Sequence, residues 1–290
     1  MTNKATILAE AFPYIKQFYG KNVVVKYSGS LVGPSLEGFA QDIALMKFVG
    51  IKPVVVHGGG RQIEAQLKKE GIESRFIAGL RVTDKKAVKT IAKVLAGKVN
   101  KTIVTAIKKQ GAKAVGISGN ELSMLKVCKA DIRKIAEASG VKIPPDADLG
   151  MVGEIKKVNP KLLRLYEKDG SIPVIAPIGR DSKGDTYNVN ADHAAGKVAS
   201  VLKAEKLIML TDVRGIMDGK NKLIPSLNFR QTAKLIKEGT IAAGMRPKAV
   251  CCMEALSEGV RKAHIIDGRT LHALILEIFT DAGVGTEIKK

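Results

Sequence analysis

The sequence predicts an α/β fold, a three-layer αβα sandwich around a mainly parallel central sheet. Two observations carry that prediction. Short β-rich runs, NVVVKYS (22–28), KPVVVHG (52–58), AKAVGIS (112–118), SIPVIAPIG (171–179) and KLIMLTD (206–212), alternate with longer stretches of helical periodicity. The runs at 23–25, 54–56 and 207–210 also lack polar alternation, as strands covered on both faces require.

Taken in order, residues 7–20 (ILAEAFPYIKQFYG) carry apolar residues at helical spacing interrupted by Pro13. They read as a kinked amphipathic helix that docks something, standing outside the core. The first two β runs lead into helices over 35–49 and 60–70, and a later helix covers 191–203. Gly, Pro and Asp punctuate hairpins near 72–82, 122–132, 148–158 and 178–190. Helices over about 230–238 and 246–261 precede a strand at AHIIDG (263–268), a helix at LHALILEIF (271–279) and a closing strand at GTEI (285–288).

At 290 residues and 45% hydrophobic content, the chain can bury one large core or two lobes sharing a sheet. No signal-peptide pattern opens it and no apolar run reaches about 18 residues, so a cytoplasmic protein without a membrane span is expected. Cys128, Cys251 and Cys252 form no CxxC pair, which fits a reducing compartment, and the adjacent pair reads as small apolar helix positions. The net charge of +20 attracts anions. Residues 1–140 hold 24 basic and 10 acidic residues, so most of the excess lies there. Its densest stretch, 85–113, reads as a solvated helix face. With 4% aromatics and no Trp, base stacking would have few platforms, and no nucleic-acid partner is expected.

VVVHGGGRQ (54–62) joins a strand end to a helix start. There the first backbone N–H groups lack intrahelical partners and the helix dipole is positive, so an anion fits. Gly58, Gly59 and Gly60 let the backbone approach it closely and permit positive φ where needed. VVVKYSGS (23–30) ends the first strand alike, with Lys26 before the small-residue turn Ser28, Gly29 and Ser30. Open α/β sheets bind ligands off the carboxyl ends of their strands, so two such ends side by side suggest one anion site. His57 supports the glycine turn, and His193, His264 and His272 show no metal-ligand spacing.

These stretches, with GLRVTD (79–84), LAGKVNK (95–101), AVGISG (114–119), DLGMVGEI (148–155), PVIAPIG (173–179), YNVNAD (187–192), AEKLIMLTDVRGIMD (204–218), AGMRPK (243–248) and AHIIDGRTLHALILEIFTDAGVGT (263–286), resemble the amino acid kinase family in order over nearly the whole chain. The resemblance implies transfer of the γ-phosphoryl group of ATP, with Mg²⁺ held mainly by the nucleotide, to the side-chain carboxylate of N-acetyl-L-glutamate. A related N-acylated amino acid such as aminoadipate, or a non-catalytic regulatory role, are the alternatives. It further implies an N-terminal interaction helix (1–20), an acetylglutamate lobe (21–190) and an ATP lobe (191–290). Such a reaction is mostly positioning and charge stabilisation. A carboxylate of pKa about 4.3 is already ionised and needs no general base.

By the resemblance, Lys26 and Lys248 stabilise the transition state and Asp192 holds both ammonium groups. The amides of Gly29, Gly58, Gly59 and Gly60 contact the phosphoryl group and substrate. Arg81 offers a planar fork to the α-carboxylate, Asn188 orients the substrate, and Thr211, Asp212 and Gly244 face the nucleotide. The chain departs from the usual motifs at Ser28, Arg61, Asn120, Ala243 and Arg246, which bears on turnover. The two ends resemble an arginine-sensitive hexameric branch built from dimers. That implies an arginine inhibitor site around Tyr14, Glu277, Gly283 and Gly285, and leaves room for a nitrogen-signalling PII protein.

Overall fold

A computed structural model describes residues 4–31, 33, 35–139, 143–144, 147–242, 244–281 and 283–290. The chain runs α1 (Lys4–Phe18), β1 (Asn22–Tyr27), α2 (Leu36–Phe48), β2 (Lys52–His57), α3 (Gly60–Lys69), β3 (Phe76–Ile77) and β4 (Leu80–Arg81). Next come α4 (Lys85–Ala92), a π-helical turn (Lys93–Val99), α5 (Asn100–Lys109), β5 (Ala114–Ser118), β6 (Leu125–Lys129), α6 (Ile132–Ser139) and β7 (Val152–Val158). Then follow α7 (Lys161–Lys168), β8 (Ile172–Ala176), β9 (Ile178–Arg180), β10 (Thr186–Val189), α8 (Ala191–Val201) and β11 (Lys206–Thr211). The chain closes with β12 (Ser226–Asn228), α9 (Phe229–Lys237), α10 (Met245–Ser257), β13 (Lys262–Asp267), α11 (Ala273–Phe279) and β14 (Gly285–Lys289).

The main sheet has the order β12-β14-β13-β11-β1-β2-β8-β5, and among the described residues only its β13–β14 pair is antiparallel. Its strands feed two cores. Val23, Val25 and Tyr27 enter one with α2, α5 and α11, while Val24 enters the other with α8 and α10. Because side chains alternate along a strand, Lys26 faces the same side as Val24, towards α8 and α10. Lys26 lies level with Val56 and Met209, so β1, β2 and β11 end together. β1 pairs with both β2 and β11, so one sheet runs across the boundary expected near residue 190.

Two expected hairpins are present: β3–β4 and β9–β10 pair antiparallel. The other two are corrected. Residues 122–132 and 148–158 each contain one long strand, β6 and β7, which pair with each other antiparallel. With β9 and β10 they close a four-stranded barrel, and α6 lies between them in sequence. The Gly and Asp punctuation marks turns but does not say which distant strand supplies the ladder.

The first helix is also corrected. α1 continues through Pro13, and its C-terminal half joins the core. Phe18 is buried, and Ala11, Tyr14 and Ile15 pack against the main cluster, while Phe12 and Tyr19 stay exposed. In the lysine-rich stretch, Lys85, Lys86, Lys89, Lys93, Lys98 and Lys101 are exposed, and Ile91, Leu95, Ile103 and Ile107 are buried on the opposite face. Among the described residues no helix is long and apolar enough to cross a membrane.

Candidate active site

The ends of β1 and β2 touch backbone to backbone. A Cβ on Gly29 would lie 2.5 Å from the Gly59 nitrogen and 2.9 Å from that of Gly60, and one on Gly58 would lie 3.2 Å from the Gly29 nitrogen. Neither Gly29 nor the three glycines after His57 has positive φ, so the expected conformational role is corrected: close approach is what excludes a side chain. A Cβ on Gly59 would also come within 2.6 Å of Leu95, whereas one on Gly60 would meet nothing within 4 Å.

Beside this contact, Asp192 bridges two cations. Asn190 caps α8 by accepting from the amides of Asp192 and His193, which fixes Asp192 in the first helical turn. Lys26 Nζ lies 2.8 Å from its Oδ1 as an ion pair, and Lys248 Nζ donates to Oδ2 at 2.6 Å. Burial alone would raise the Asp192 carboxyl, but the Lys26 and Lys248 ammonium groups outweigh it and hold it well below the usual carboxylate range. Lys248 is opposed by burial and raised by Asp192, with a net upward shift. Lys26 is the more desolvated, and burial, with repulsion from Lys248, lowers it despite Asp192. The site therefore concentrates positive charge out of water.

Arg81 is only 8% exposed. Its Nη1 donates to Glu64 Oε2 at 2.6 Å and to Ser74 Oγ, and its Nη2 to the Gly60 carbonyl at 3.4 Å. The guanidinium carbon lies 4.5 Å from the centre of the Phe76 ring. Among the described residues Nε donates to nothing and Nη2 makes only the long contact to the Gly60 carbonyl, so Nε–H and one Nη2 hydrogen remain for a ligand carboxylate. Asn188 stands behind: its Nδ2 is 3.4 Å from Thr83 Oγ1, which donates to the Arg81 carbonyl at 2.8 Å.

A cleft of about 720 Å³ is lined by Lys26, Gly29, Gly58, Gly59, Gly60, Arg81 and Asp212 among the expected residues. Asn188, Thr211, Asp192, Lys248 and Gly244 do not line it. Thr211 is buried at the end of β11 with its hydroxyl towards Asp212, and Gly244 is exposed at the N-terminus of α10. Glu64, Lys68 and Phe76 line the cleft too, and reading the sequence alone misses them. Their signal, a helix face of α3 turned towards a hairpin, exists only once β3 and β4 are folded over it.

Of the departures from the usual motifs, Ser28 pairs its hydroxyl with that of Ser30 at 2.9 Å, and Arg61 lines the cleft from an exposed position. Asn120 is half-buried ahead of a short 3-10 turn. Arg246 is half-buried with its Nε unpaired, and Ala243 lies outside the described residues. Burial pushes the Cys251 and Cys252 thiols up, and both are free.

Of the four residues assigned to an inhibitor site, Glu277 is buried, accepting from the Val284 amide at 3.0 Å and facing His264 Nδ1 at 2.6 Å. Gly283 (φ 59°) sits against the Glu277 carboxylate, Gly285 opens β14, and Tyr14 lies beside Asp281, which raises its phenol.

Residues 21–267 match the model of the amino acid kinase family. The chain is 50% identical over 290 residues to an acetylglutamate kinase of Syntrophus aciditrophicus, covering 99% of this chain and 97% of that protein. Among solved structures it resembles an N-acetylglutamate synthase from Neisseria gonorrhoeae complexed with coenzyme A and N-acetyl-glutamate, at TM-score 0.86 and 28% identity. The same synthase complexed with coenzyme A and L-arginine matches at TM-score 0.81 and 26% identity. Both alignments cover 99% of this chain but only 64% and 66% of the synthase chains. Motif order, sheet topology and full-length similarity agree: the chain belongs to the amino acid kinase family.

Proposed function

We propose that this protein transfers the γ-phosphoryl group of ATP to the side-chain carboxylate of N-acetyl-L-glutamate, giving an acyl phosphate and ADP, the second step of arginine biosynthesis. The full-length similarity to acetylglutamate kinases supports the substrate pair. The single structural observation that carries the chemistry is Asp192 holding Lys26 and Lys248, from different elements, beside two touching glycine turns.

The roles follow from charge. Two anions must approach each other, so the ammonium groups of Lys26 and Lys248 neutralise the moving phosphoryl group, while Asp192 keeps them from repelling each other apart. The amides of Gly29, Gly59 and Gly60 add uncharged donors at the same place; the expected donor role of Gly58 is corrected, because its amide already donates to the Tyr27 carbonyl at 2.9 Å in the β1–β2 ladder. Arg81 takes the α-carboxylate through Nε–H and the remaining Nη2 hydrogen, and Asn188 acts from behind through Thr83. Thr211, Asp212 and Gly244 serve the nucleotide from the β11 and α10 ends. Among the described residues no three His, Cys, Asp or Glu side chains cluster to hold a metal. Mg²⁺, arriving with the nucleotide, would offset the phosphate charge, with phosphate and water as its main ligands.

Arginine inhibition and a dimer-based hexamer in the cytoplasm belong to the same proposal. The inhibition is supported by the neighbouring positions of Glu277 and Gly283, with Tyr14 and α1 packed nearby, and by the arginine complex of the related synthase. Trapping the acyl phosphate with hydroxylamine tests the activity: hydroxamate should form with MgATP and N-acetylglutamate and vanish in Lys26→Ala. No product above that control from the intact protein would point instead to a non-catalytic binder.

A further inference from the structure

Behind the glycine turn lies a buried polar chain that the phosphoryl-transfer chemistry does not itself use. Asn100 Nδ2 donates to the Val174 carbonyl at 2.8 Å and lies 3.1 Å from His57 Nε2. His57 Nδ1 in turn lies 3.1 Å from the Gly58 carbonyl. His57 and Asn100 are 0% and 3% exposed, so water does not compete for these contacts.

We infer that Asn100 and His57 are positioning residues that fix the Gly58–Gly59 peptide plane and so aim the Gly59 amide into the cleft. A carbonyl can only accept, so Val174 identifies the Asn100 atom as the amide nitrogen. That nitrogen donates to Nε2 as well, so Nε2 carries the lone pair and the neutral ring carries its proton on Nδ1. Nδ1–H then donates to the Gly58 carbonyl. In a planar trans peptide, the N–H of Gly59 points opposite to the carbonyl of Gly58. Tethering the carbonyl towards the interior therefore turns the amide outward, against Gly29, where a Cβ would be 2.5 Å from that nitrogen.

Burial keeps the ring neutral, with its pKa pushed down to about 4. The local backbone fits this arrangement, because the π-helical turn Lys93–Val99 directly precedes Asn100 and packs Leu95 under Gly59. Such turns re-aim the residues that follow them, and they are frequent at functional sites.

The inference rests on the proposed phosphoryl transfer at this cleft. Two substitutions separate aim from mere packing. His57→Asn keeps an amide donor near the Nδ1 position, whereas His57→Gln reaches towards Asn100 and loses that donor. His57→Gln should lower kcat roughly tenfold or more, with KM for ATP and N-acetylglutamate little changed, as expected for a donor that acts mainly in the transition state. His57→Asn should recover most of the loss at a similar thermal midpoint. Ring ¹⁵N NMR of the wild-type protein at pH 7 should show Nδ1 protonated and Nε2 bare.

An Nε2–H tautomer or an imidazolium at pH 7 overturns the relay whatever the activity. Equal kcat losses in the two variants, or none in either, overturn the positioning role. If the wild-type protein forms no acyl phosphate, the proposed function fails, and the ring NMR still decides the relay.

Discussion

Asp192 is the residue on which the site's electrostatics turn. Removing it leaves Lys26 and Lys248 buried and facing each other without a counter-charge, and breaking a buried pair in this way costs about 3–5 kcal/mol. Asp192→Asn should therefore lose stability of that order in urea unfolding as well as most of its kcat; full stability with lost activity would mean the carboxylate is needed only by the substrate. Glu64 acts on the other ligand. It occupies Nη1 of Arg81 and leaves Nε–H and one Nη2 hydrogen for the substrate, so Glu64→Gln should raise KM for N-acetylglutamate about fivefold with kcat little changed. A lowered KM would show that Glu64 competes with the substrate instead of orienting its receptor. His57 gives a pH signature. Its folded pKa of about 4 lies below its ordinary 6.5, so the unfolded chain binds the extra proton first. Stability is then unaffected above pH 6.5, falls as the pH drops towards 4, and is lower by about 3 kcal/mol beyond that. Unfolding free energies from urea titrations between pH 7 and 4 should vary less with pH in His57→Asn, by about that amount.

At the scale of elements, the alternation of β1 explains why a lysine ends up inside. Val24 and Lys26 share one face, so the strand that buries Val24 against α8 also delivers Lys26 to the first turn of that helix. Gly29 and Gly60, one from each turn, respond differently to substitution. Gly29→Ala forces a Cβ to within 2.5 Å of backbone that cannot swing aside, so it should destabilise the protein and abolish activity together. Gly60→Ala meets nothing within 4 Å and should keep the thermal midpoint of the parent, with any loss confined to substrate binding. Calorimetry and steady-state rates on the pair check this, and equal destabilisation would refute the packing account. The barrel of β6, β7, β9 and β10 is the element the sequence conveyed least well. Its turn residues are local and visible, but β6 pairs with β7 across α6 and β10 returns beside β7, and such pairings leave no local mark.

For the molecule as a whole, sequence determined the class of fold and the two strand ends that would carry an anion site. Unbroken apolar runs can be stable only as covered strands, and glycines at a strand-to-helix junction expose amides that an anion satisfies. The family resemblance then supplied Lys248, Asp192, Arg81 and Asn188, with Asp192 expected to hold both ammonium groups, but not the atoms through which they meet. The tertiary structure decided that Lys26 and Lys248, 222 positions apart in the numbering, share the two oxygens of one carboxylate. It also decided that α1 sends Phe18 into the core, that Arg81 is braced by Glu64 and Ser74, and that Asn100 reaches His57. The division has a physical cause: periodicity and turn chemistry act between near neighbours along the chain, whereas ion pairs and hydrogen bonds in a buried cleft depend on which faces the completed sheet and helices turn towards one another.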